Sequence, residues 1–259
     1  MSARHSYPPR TARWSSEANT ARFADLDQAP FPCFDPGSVW LAGAGPGAPG
    51  LLTLLAAHAL MTADVVVHDA LVSAEILGFA ARARLIHAGK RGGKPSAAQA
   101  DITQRLIDEA KAGQRVLRLK GGDPFMFGRG GEECNALVAA SIPFRIIPGV
   151  SSGLGGLAYA GIPATHRDTN QCVTFLTGHD LTGEMPTAID WPMVAKASPT
   201  IVMYMAAKHL GEIAGRLLEA GRAPDEPVAV VANATLPTQA FLSFQLQDAA
   251  AQRDLPTPA

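Results

Sequence analysis

Residues 39–51 read VWLAGAGPGAPGL, and this stretch decides the class of fold. Its first part, VWLAG, carries no charge and is typical of a buried strand, and the glycine-rich turn after it leads into an apolar helical stretch over residues 51–61. Another uncharged run, VVV, follows at residues 65–67. This alternation of strand, turn, helix and strand is typical of a βαβ unit, so the sequence predicts an α/β protein with a mostly parallel sheet.

The same alternation continues to the end of the chain and predicts two α/β domains. The first, residues 38–148, adds strands near 85–86, 116–119 and 142–147 and helices over 99–112 and 132–140. The second, residues 149–259, has predicted helices over 152–160 and 208–219 and predicted strands near 173–177, 200–205, 228–231 and 241–246. We place the boundary near Pro148, where a Pro-Gly turn closes the last strand of the first domain.

Residues 1–37 differ in kind from the rest of the chain. They mix several prolines with arginines and show no apolar periodicity, so we expect a flexible N-terminal extension. The part up to Arg22 is rich in Arg and Ser and poor in acid, which leaves an organelle transit peptide as an alternative. It lacks the apolar segment of a secretory signal.

Composition excludes several classes of protein. A chain of 259 residues, 47% of them hydrophobic, can bury a sizeable core, and its net charge of −1 gives no general attraction to nucleic acid or to a membrane surface. No apolar run is long enough to span a membrane. Cys33, Cys134 and Cys172 are far apart and form no metal-ligand motif. We therefore expect a cytoplasmic protein with no metal site and with neither a nucleic-acid nor a membrane partner.

The glycine-rich turn, GAGPGA at residues 43–48, formally matches the dinucleotide-binding pattern GxGxx(G/A). Asp64 and Asp69 stand at roughly the distance expected of a ribose-binding acid. However, Pro46 and Pro49 each remove a backbone N–H where a pyrophosphate needs several donors. Besides dinucleotide binding, two interpretations of this turn stay open: a tight turn that needs glycine for close packing, and a loop that binds another kind of cofactor.

Charged residues follow the predicted strands. Asp69 stands directly after the predicted strand VVVH at 65–68, where a carboxylate can accept a proton, although an aspartate there is often only a turn former. The glycine-rich run GKRGGKPS, residues 89–96, presents three cations to an anion or to solvent. Arg129 and Glu132 follow a second glycine-rich turn, and helix capping alone is an alternative explanation for Glu132.

Taken in order, these segments resemble the uroporphyrinogen-III C-methyltransferase family of the tetrapyrrole methylases. The resemblance covers about residues 39–238, and its most specific parts are DALV and GKRGGKPSAAQ, whereas GAGPG and GGDP are shared with related methylases. It implies two α/β domains with S-adenosylmethionine in the cleft between them, usually in a homodimer. The implied reaction is two successive methyl transfers to carbons of uroporphyrinogen III, which yield precorrin-2 and S-adenosylhomocysteine for sirohaem, cobalamin or haem d1 synthesis.

The resemblance also implies roles for particular residues. Asp69, Lys90 and Arg129 are the expected catalytic residues, with Asp69 as proton acceptor. Of the expected substrate-binding residues, Arg91, Lys94 and Arg129 would meet carboxylates of the substrate, and Arg129 and Glu132 would lie near the reacting carbons. The expected cofactor-binding positions are Pro46, Gly121, Gly122, Asp123, Met126, Ser151, Ser152, Met205 and Ala234.

Three departures from the family pattern stand out. Ala234 replaces a usual glycine, which we expect to tighten packing against the adenosine, and Thr103 replaces an expected Asn. The chain ends at DLPTPA, where relatives continue into a further apolar strand, so we expect the second sheet to lack that strand.

Three competing functions stay open. They are a later precorrin methylase, a non-catalytic tetrapyrrole-binding protein, and a nicotinamide dehydrogenase, which Pro46 and Pro49 disfavour.

Overall fold

The computed structural model describes residues 31–88, 99–180, 183–252 and 255–257. The strands are β1 Val39–Gly43, β2 Val65–His68, β3 Arg84–His87, β4 Val116–Lys120, β5 Phe144–Ile147, β6 Val173–Thr177, β7 Thr200–Tyr204, β8 Pro227–Ala232 and β9 Ala240–Gln245. The α-helices are α1 Leu54–Thr62, α2 Ala74–Leu77, α3 Gln99–Lys111, α4 Gly130–Ala139, α5 Ser152–Tyr159, α6 Trp191–Ala197 and α7 Leu210–Glu219. Short 3₁₀ helices cover Pro49–Leu51, Gly78–Ala80, Ala207–His209 and Leu246–Ala251.

Strands β1 to β5 form one parallel sheet in the order β3-β2-β4-β1-β5. Each strand of the centre is buried on both faces, as is typical of parallel sheets covered by helices. Alternate residues therefore enter two cores: Trp40 and Leu117 lie in one, and Val39 and Val116 in the other. Because the strands are parallel, their carboxyl ends share one edge of the sheet. The predicted α/β class is confirmed.

The rest of the chain adds two small sheets. Strands β6 and β7 pair in parallel, and β8 pairs with β9 as an antiparallel hairpin. Helices α6 and α7 bury Trp191, Ile213 and Leu217 in a third core. Helix α6 is absent from the prediction: it begins where the side chain of Asp190 accepts a hydrogen bond from the backbone N–H of Met193. The division of the chain at Pro148 stays a prediction.

Phe34, which the sequence places in the N-terminal extension, packs against the main sheet. Its side chain is 4% exposed and stacks on Trp40, with ring centroids 4.2 Å apart and an angle of 13° between the ring planes. The compact unit that contains the main sheet begins at Phe34, and the domain bounds expected from the sequence stay a prediction. Of the expected extension, residues 1–30 lie outside the described residues.

Neither a spanning helix nor a metal-binding group occurs in the described part of the chain. No helix there combines the length and the apolar character needed to cross a membrane. No group of three or more His, Cys, Asp or Glu residues there could hold a metal ion.

Candidate active site

Three glycines bring the loops after β1, β4 and β5 into contact. A Cβ atom on Gly43 would lie 2.4 Å from the carbonyl oxygen of Gly122 and 2.5 Å from the Cα of Gly149, so a larger residue does not fit there. Gly45 and Gly122 also exchange two backbone hydrogen bonds, of 3.1 and 2.8 Å. The glycines of GAGPG and GGDP therefore serve close backbone packing at the carboxyl edge of the sheet.

The side chain of Asp123 accepts hydrogen bonds from two loops at this edge of the sheet. One carboxylate oxygen accepts a hydrogen bond from the backbone N–H of Phe125 at 2.8 Å, and the other accepts one from the backbone N–H of Gly149 at 3.0 Å. The residue thus ties the loop after β4 to the loop after β5. Asp123 therefore has a structural role, and it also forms part of a cavity wall.

A cavity of about 1250 Å³ opens at the carboxyl edge of the main sheet. It continues between β7, β8 and helix α7, where Val202, Leu217 and Val230 line it. The predicted site residues that line it are Pro46, Asp69, Gly121, Gly122, Asp123, Met126, Arg129, Ser151, Ser152, Met205 and Ala234. The structure therefore brings all nine predicted cofactor-binding positions to one cavity together with the predicted proton acceptor. Lys90, Arg91 and Lys94 lie outside the described residues.

Asp69 is half-buried on the wall of this cavity, one residue after β2. One carboxylate oxygen accepts a hydrogen bond from the backbone N–H of Leu71 at 3.1 Å, and the other accepts one from the backbone N–H of Gly121 at 3.3 Å. The aspartate is therefore a turn former, as one interpretation of the sequence had it. Each oxygen keeps a further lone pair, so the carboxylate can also accept a proton from a ligand.

Arg129 and Glu132 form a bidentate ion pair at the start of α4. The Nε of Arg129 donates to Glu132 Oε1 at 2.9 Å, and its Nη2 donates to Oε2 at 2.5 Å. The pairing lowers the pKa of Glu132 and raises that of Arg129. Both side chains are exposed, and together with Phe125 and Phe127 they line a shallow recess beside the main cavity. Arg129 therefore reaches both spaces.

A buried charge cluster beside the cavity is absent from the sequence prediction. Glu133 is fully buried and forms ion pairs with Arg118 at 2.9 Å and Lys120 at 3.2 Å, whose side chains are 3% and 5% exposed. Lys120 also lines the cavity. The alternating charges of β4, VLRLK, are the sequence signal for this cluster, because a strand in the centre of a parallel sheet must pair any charge that it carries.

Tyr204 is a second residue that the prediction missed. It ends β7 and lines the cavity, and its hydroxyl contacts the side chain of Ser151 and the backbone N–H of Gly153. Its ring also lies 5.1 Å from that of Phe127, measured between centroids. The sequence places Tyr204 near the end of a predicted strand but gives no signal of these partners.

Asp64 is one candidate for a ribose-binding acid in a dinucleotide site. Both of its carboxylate oxygens accept hydrogen bonds from Arg115, so this residue does not act as a ribose-binding acid in the cavity.

Ala234, which replaces a usual glycine of the family, packs against helix α5. Its Cβ lies where it would be 2.9 Å from a Cβ on Gly156. The alanine is therefore accommodated by a glycine on helix α5. The expected contact with adenosine stays a prediction.

Parallel α/β proteins bind small ligands at the carboxyl edge of the sheet, in concave sites with a few convergent polar groups. The fold and the cavity define such a ligand-binding α/β protein. Three comparisons with known proteins narrow the class.

Residues 38–250 match the family model described as tetrapyrrole (corrin/porphyrin) methylases. The chain is 60% identical over 224 residues to a uroporphyrinogen-III C-methyltransferase of a Sinorhizobium species, which covers 86% of this chain and 80% of that protein. It is 47% identical to the sirohaem synthase of Zymomonas mobilis over 85% of this chain and 47% of that protein. A Thermus thermophilus uroporphyrin-III C-methyltransferase, solved with S-adenosylhomocysteine, matches with a TM-score of 0.73 at 37% identity, over 83% of this chain and 90% of the other.

The chain belongs to the tetrapyrrole methylase family. The resemblance that the sequence motifs carry is thereby confirmed, and so is the tetrapyrrole methylase fold. The chain spans about half the length of the sirohaem synthase it matches and most of the length of the Sinorhizobium relative.

Proposed function

We propose that this chain is an S-adenosylmethionine-dependent methyltransferase that methylates uroporphyrinogen III on two carbons in succession, giving precorrin-2. The observation that carries the proposal is the 60% identity to a uroporphyrinogen-III C-methyltransferase. The geometry supports it, because the nine expected cofactor positions line one cavity. The products would serve sirohaem, cobalamin or haem d1 synthesis.

The residues around the cavity suit the cofactor. Glycine-rich backbone after β1 and β4 allows close approach of a ligand, and the start of α5 presents Ser151 and Ser152. The positions that would hold the cofactor are Pro46, Gly121, Gly122, Asp123, Met126, Ser151, Ser152, Met205 and Ala234. When bound, S-adenosylmethionine supplies an electrophilic methyl group on its sulfonium.

The protein itself would align the two reactants, provide cations for the acidic groups of the substrate, and supply a base for the proton that is lost. The cavity walls would hold the pyrrole carbon in line with the methyl group, and good alignment contributes up to about 7 to 11 kcal/mol to such a displacement. Asp69 would accept the proton that the methylated ring loses, since each of its carboxylate oxygens keeps a further lone pair toward the cavity. Arg129 would bind a substrate carboxylate or orient the reacting pyrrole, with Glu132 beside it. Lys90, Arg91 and Lys94 would bind further acidic groups of the substrate.

The decisive experiment combines the purified chain, S-adenosylmethionine and enzymatically generated uroporphyrinogen III. We expect a dimethylated product by mass, with S-adenosylhomocysteine as co-product. Turnover of a later precorrin but not of uroporphyrinogen III would identify another methylase of the family. Ligand binding without any turnover would identify a non-catalytic tetrapyrrole-binding protein.

We also propose that the active protein is a cytoplasmic homodimer. The resemblance to the family supports this proposal. Size-exclusion chromatography with light scattering would test the dimer, since a monomer at working concentration contradicts it. Cell fractionation would test the location.

A further inference from the structure

Lys120 combines burial with a position on the cavity wall. It is the last residue of β4, its side chain is 5% exposed, and its ammonium lies 3.3 Å from Oε1 and 3.2 Å from Oε2 of Glu133. Burial lowers the pKa of Lys120, the charge of Arg118 lowers it further, and the attraction of Glu133 offsets only part of this. The folded protein therefore holds this cation without full compensation.

Glu133 cannot neutralise Lys120 alone because it is shared. The same oxygen, Oε1, accepts hydrogen bonds from Arg118 Nε at 2.9 Å and from Gln99 Nε2 at 2.8 Å. Oε2 lies close to the ammonium but without the alignment of a hydrogen bond. Two buried cations thus share one buried carboxylate, and the cluster carries an excess of positive charge next to the cavity.

The other nearby acid does not remove this excess. Asp69 attracts Lys120 only weakly compared with the effect of burial, and the carboxylate of Asp69 already accepts hydrogen bonds from the backbone N–H groups of Leu71 and Gly121. An ammonium has three N–H donors. In the part of the chain that the structure describes, Glu133 is the hydrogen-bond acceptor of Lys120, so donor capacity is left for a ligand in the cavity.

We infer that Lys120 binds a carboxylate of a ligand in the cavity and is held in place for this by Glu133. The inference rests on the proposed function, which offers two sources of such a group: the acidic side chains of the tetrapyrrole and the amino-acid carboxylate of S-adenosylmethionine. A bound carboxylate balances the charge of the cluster and accepts a charge-assisted hydrogen bond.

Two variants separate this role from a structural one. Lys120→Met removes the charge at similar length and leaves Arg118 and Glu133 as a balanced pair, so the melting temperature should not fall. Lys120→Arg keeps the charge. The matched control is Lys111→Met, which alters an exposed lysine at the end of α3.

Binding is measured with the full chain, by calorimetry for S-adenosylhomocysteine and by fluorescence titration for uroporphyrin III. We expect Lys120→Met to weaken the binding of one of these probes by about 10-fold or more. Lys120→Arg should recover part of this affinity, and the control Lys111→Met should bind both probes as the parent does. A loss with uroporphyrin III assigns the tetrapyrrole as the source of the carboxylate, and a loss with S-adenosylhomocysteine assigns the cofactor.

Unchanged affinity for both probes overturns the inference. So does an equal loss of both affinities together with a lower melting temperature, because Lys120 would then be structural. If the parent protein binds the probes but forms no methylated product, the proposed function fails while the binding comparison still tests Lys120.

Discussion

The hydroxyl of Tyr204 lies 2.6 Å from the Oγ of Ser151 and accepts a hydrogen bond from the backbone N–H of Gly153 at 3.1 Å. Tyr204 ends β7, and Ser151 and Gly153 stand at the start of α5. The phenol therefore joins two walls of the cavity. A Cβ on Gly153 would lie 2.2 Å from the same hydroxyl, so the glycine is needed for this contact.

Tyr204→Phe tests the contact, because it removes the hydroxyl and little else. We expect a loss of about 1 to 2 kcal/mol in the free energy of unfolding, since the N–H of Gly153 loses its partner. S-adenosylhomocysteine binding should weaken several-fold, because Ser151 is an expected cofactor residue. A double-mutant cycle with Ser151→Ala, followed by urea unfolding, measures the coupling. Strictly additive effects would show that the two hydroxyls do not stabilise each other.

Phe34→Ala should destabilise the protein by about 3 kcal/mol, the usual cost of removing a buried aromatic ring. The reason is the stacking of Phe34 on Trp40 at the edge of a core. Urea unfolding measures the loss, with Phe241→Ala as control, since that ring is 49% exposed. Equal stability of the two variants would show that Phe34 does not contribute to the core and belongs to the N-terminal extension that the sequence predicts.

Much of the fold follows from local sequence, and particular residues show why the rest does not. The strand VWLAG is recognisable because all five of its residues are buried. Phe34, in contrast, stands alone between prolines, and only its tertiary partner Trp40 makes it part of a core. Helix α6 is short and follows a polar segment with a proline, so it shows little periodicity.

The site divides in the same way. The glycines of the tight turns are predictable because close backbone packing restricts the residue type, whereas Asp123 is predicted only through the family resemblance. In the sequence, Glu132 and Glu133 are adjacent residues of the same type, yet Glu133 is fully buried and Glu132 is exposed. The difference comes from the direction in which α4 presents each side chain, so it depends on how the helix packs on β4.

His68 makes a prediction about pH. Burial lowers the pKa of its imidazole, and the charges of His87, which lies edge-on to it, and of Arg118 add to this. The backbone carbonyl and the negative charge of Asp69 oppose the shift but do not cancel it. The folded state therefore binds fewer protons than the unfolded state just below the ordinary histidine pKa of about 6.5. Stability from this group is present above that pH and is lost as the pH falls through it.

Urea unfolding of the parent and of His68→Asn between about pH 7.5 and about pH 5 measures this effect. We expect the parent to lose more stability than the variant over this range. His166→Gln, which alters an exposed histidine, is the control and should follow the parent. Parallel stability curves for the parent and His68→Asn would show that His68 does not contribute.

Asp69→Asn should keep the fold and the binding of S-adenosylhomocysteine while turnover falls. Asparagine retains an oxygen for the backbone N–H of Leu71 but loses the weaker acceptor for the N–H of Gly121, so we expect a small loss of stability beside the larger loss of turnover. It cannot accept the proton, and general base catalysis typically contributes about 100-fold to 10,000-fold. Turnover at saturating concentrations of both substrates is measured beside the melting temperature. Activity close to that of the parent would leave Asp69 with its turn-forming role alone.

Arg129→Lys tests whether the planar guanidinium is needed. In the structure, Arg129 uses two parallel donors on Glu132, and an ammonium cannot reproduce this geometry. The same fork suits a carboxylate of the tetrapyrrole. Losing such a contact should cost about 1.5 to 3 kcal/mol, which corresponds to roughly 10-fold to 150-fold in kcat/KM for the tetrapyrrole.

The matched control is Arg216→Lys, because Arg216 pairs with Glu212 on an exposed helix face away from the residues that line the cavity. Turnover is measured against tetrapyrrole concentration, and S-adenosylhomocysteine binding is measured in parallel. We expect the loss in Arg129→Lys to be confined to the tetrapyrrole, since the expected cofactor positions do not include Arg129. Unchanged kcat/KM would remove Arg129 from the substrate site, and an equal loss in cofactor binding would mean that the ion pair with Glu132 supports the loop instead.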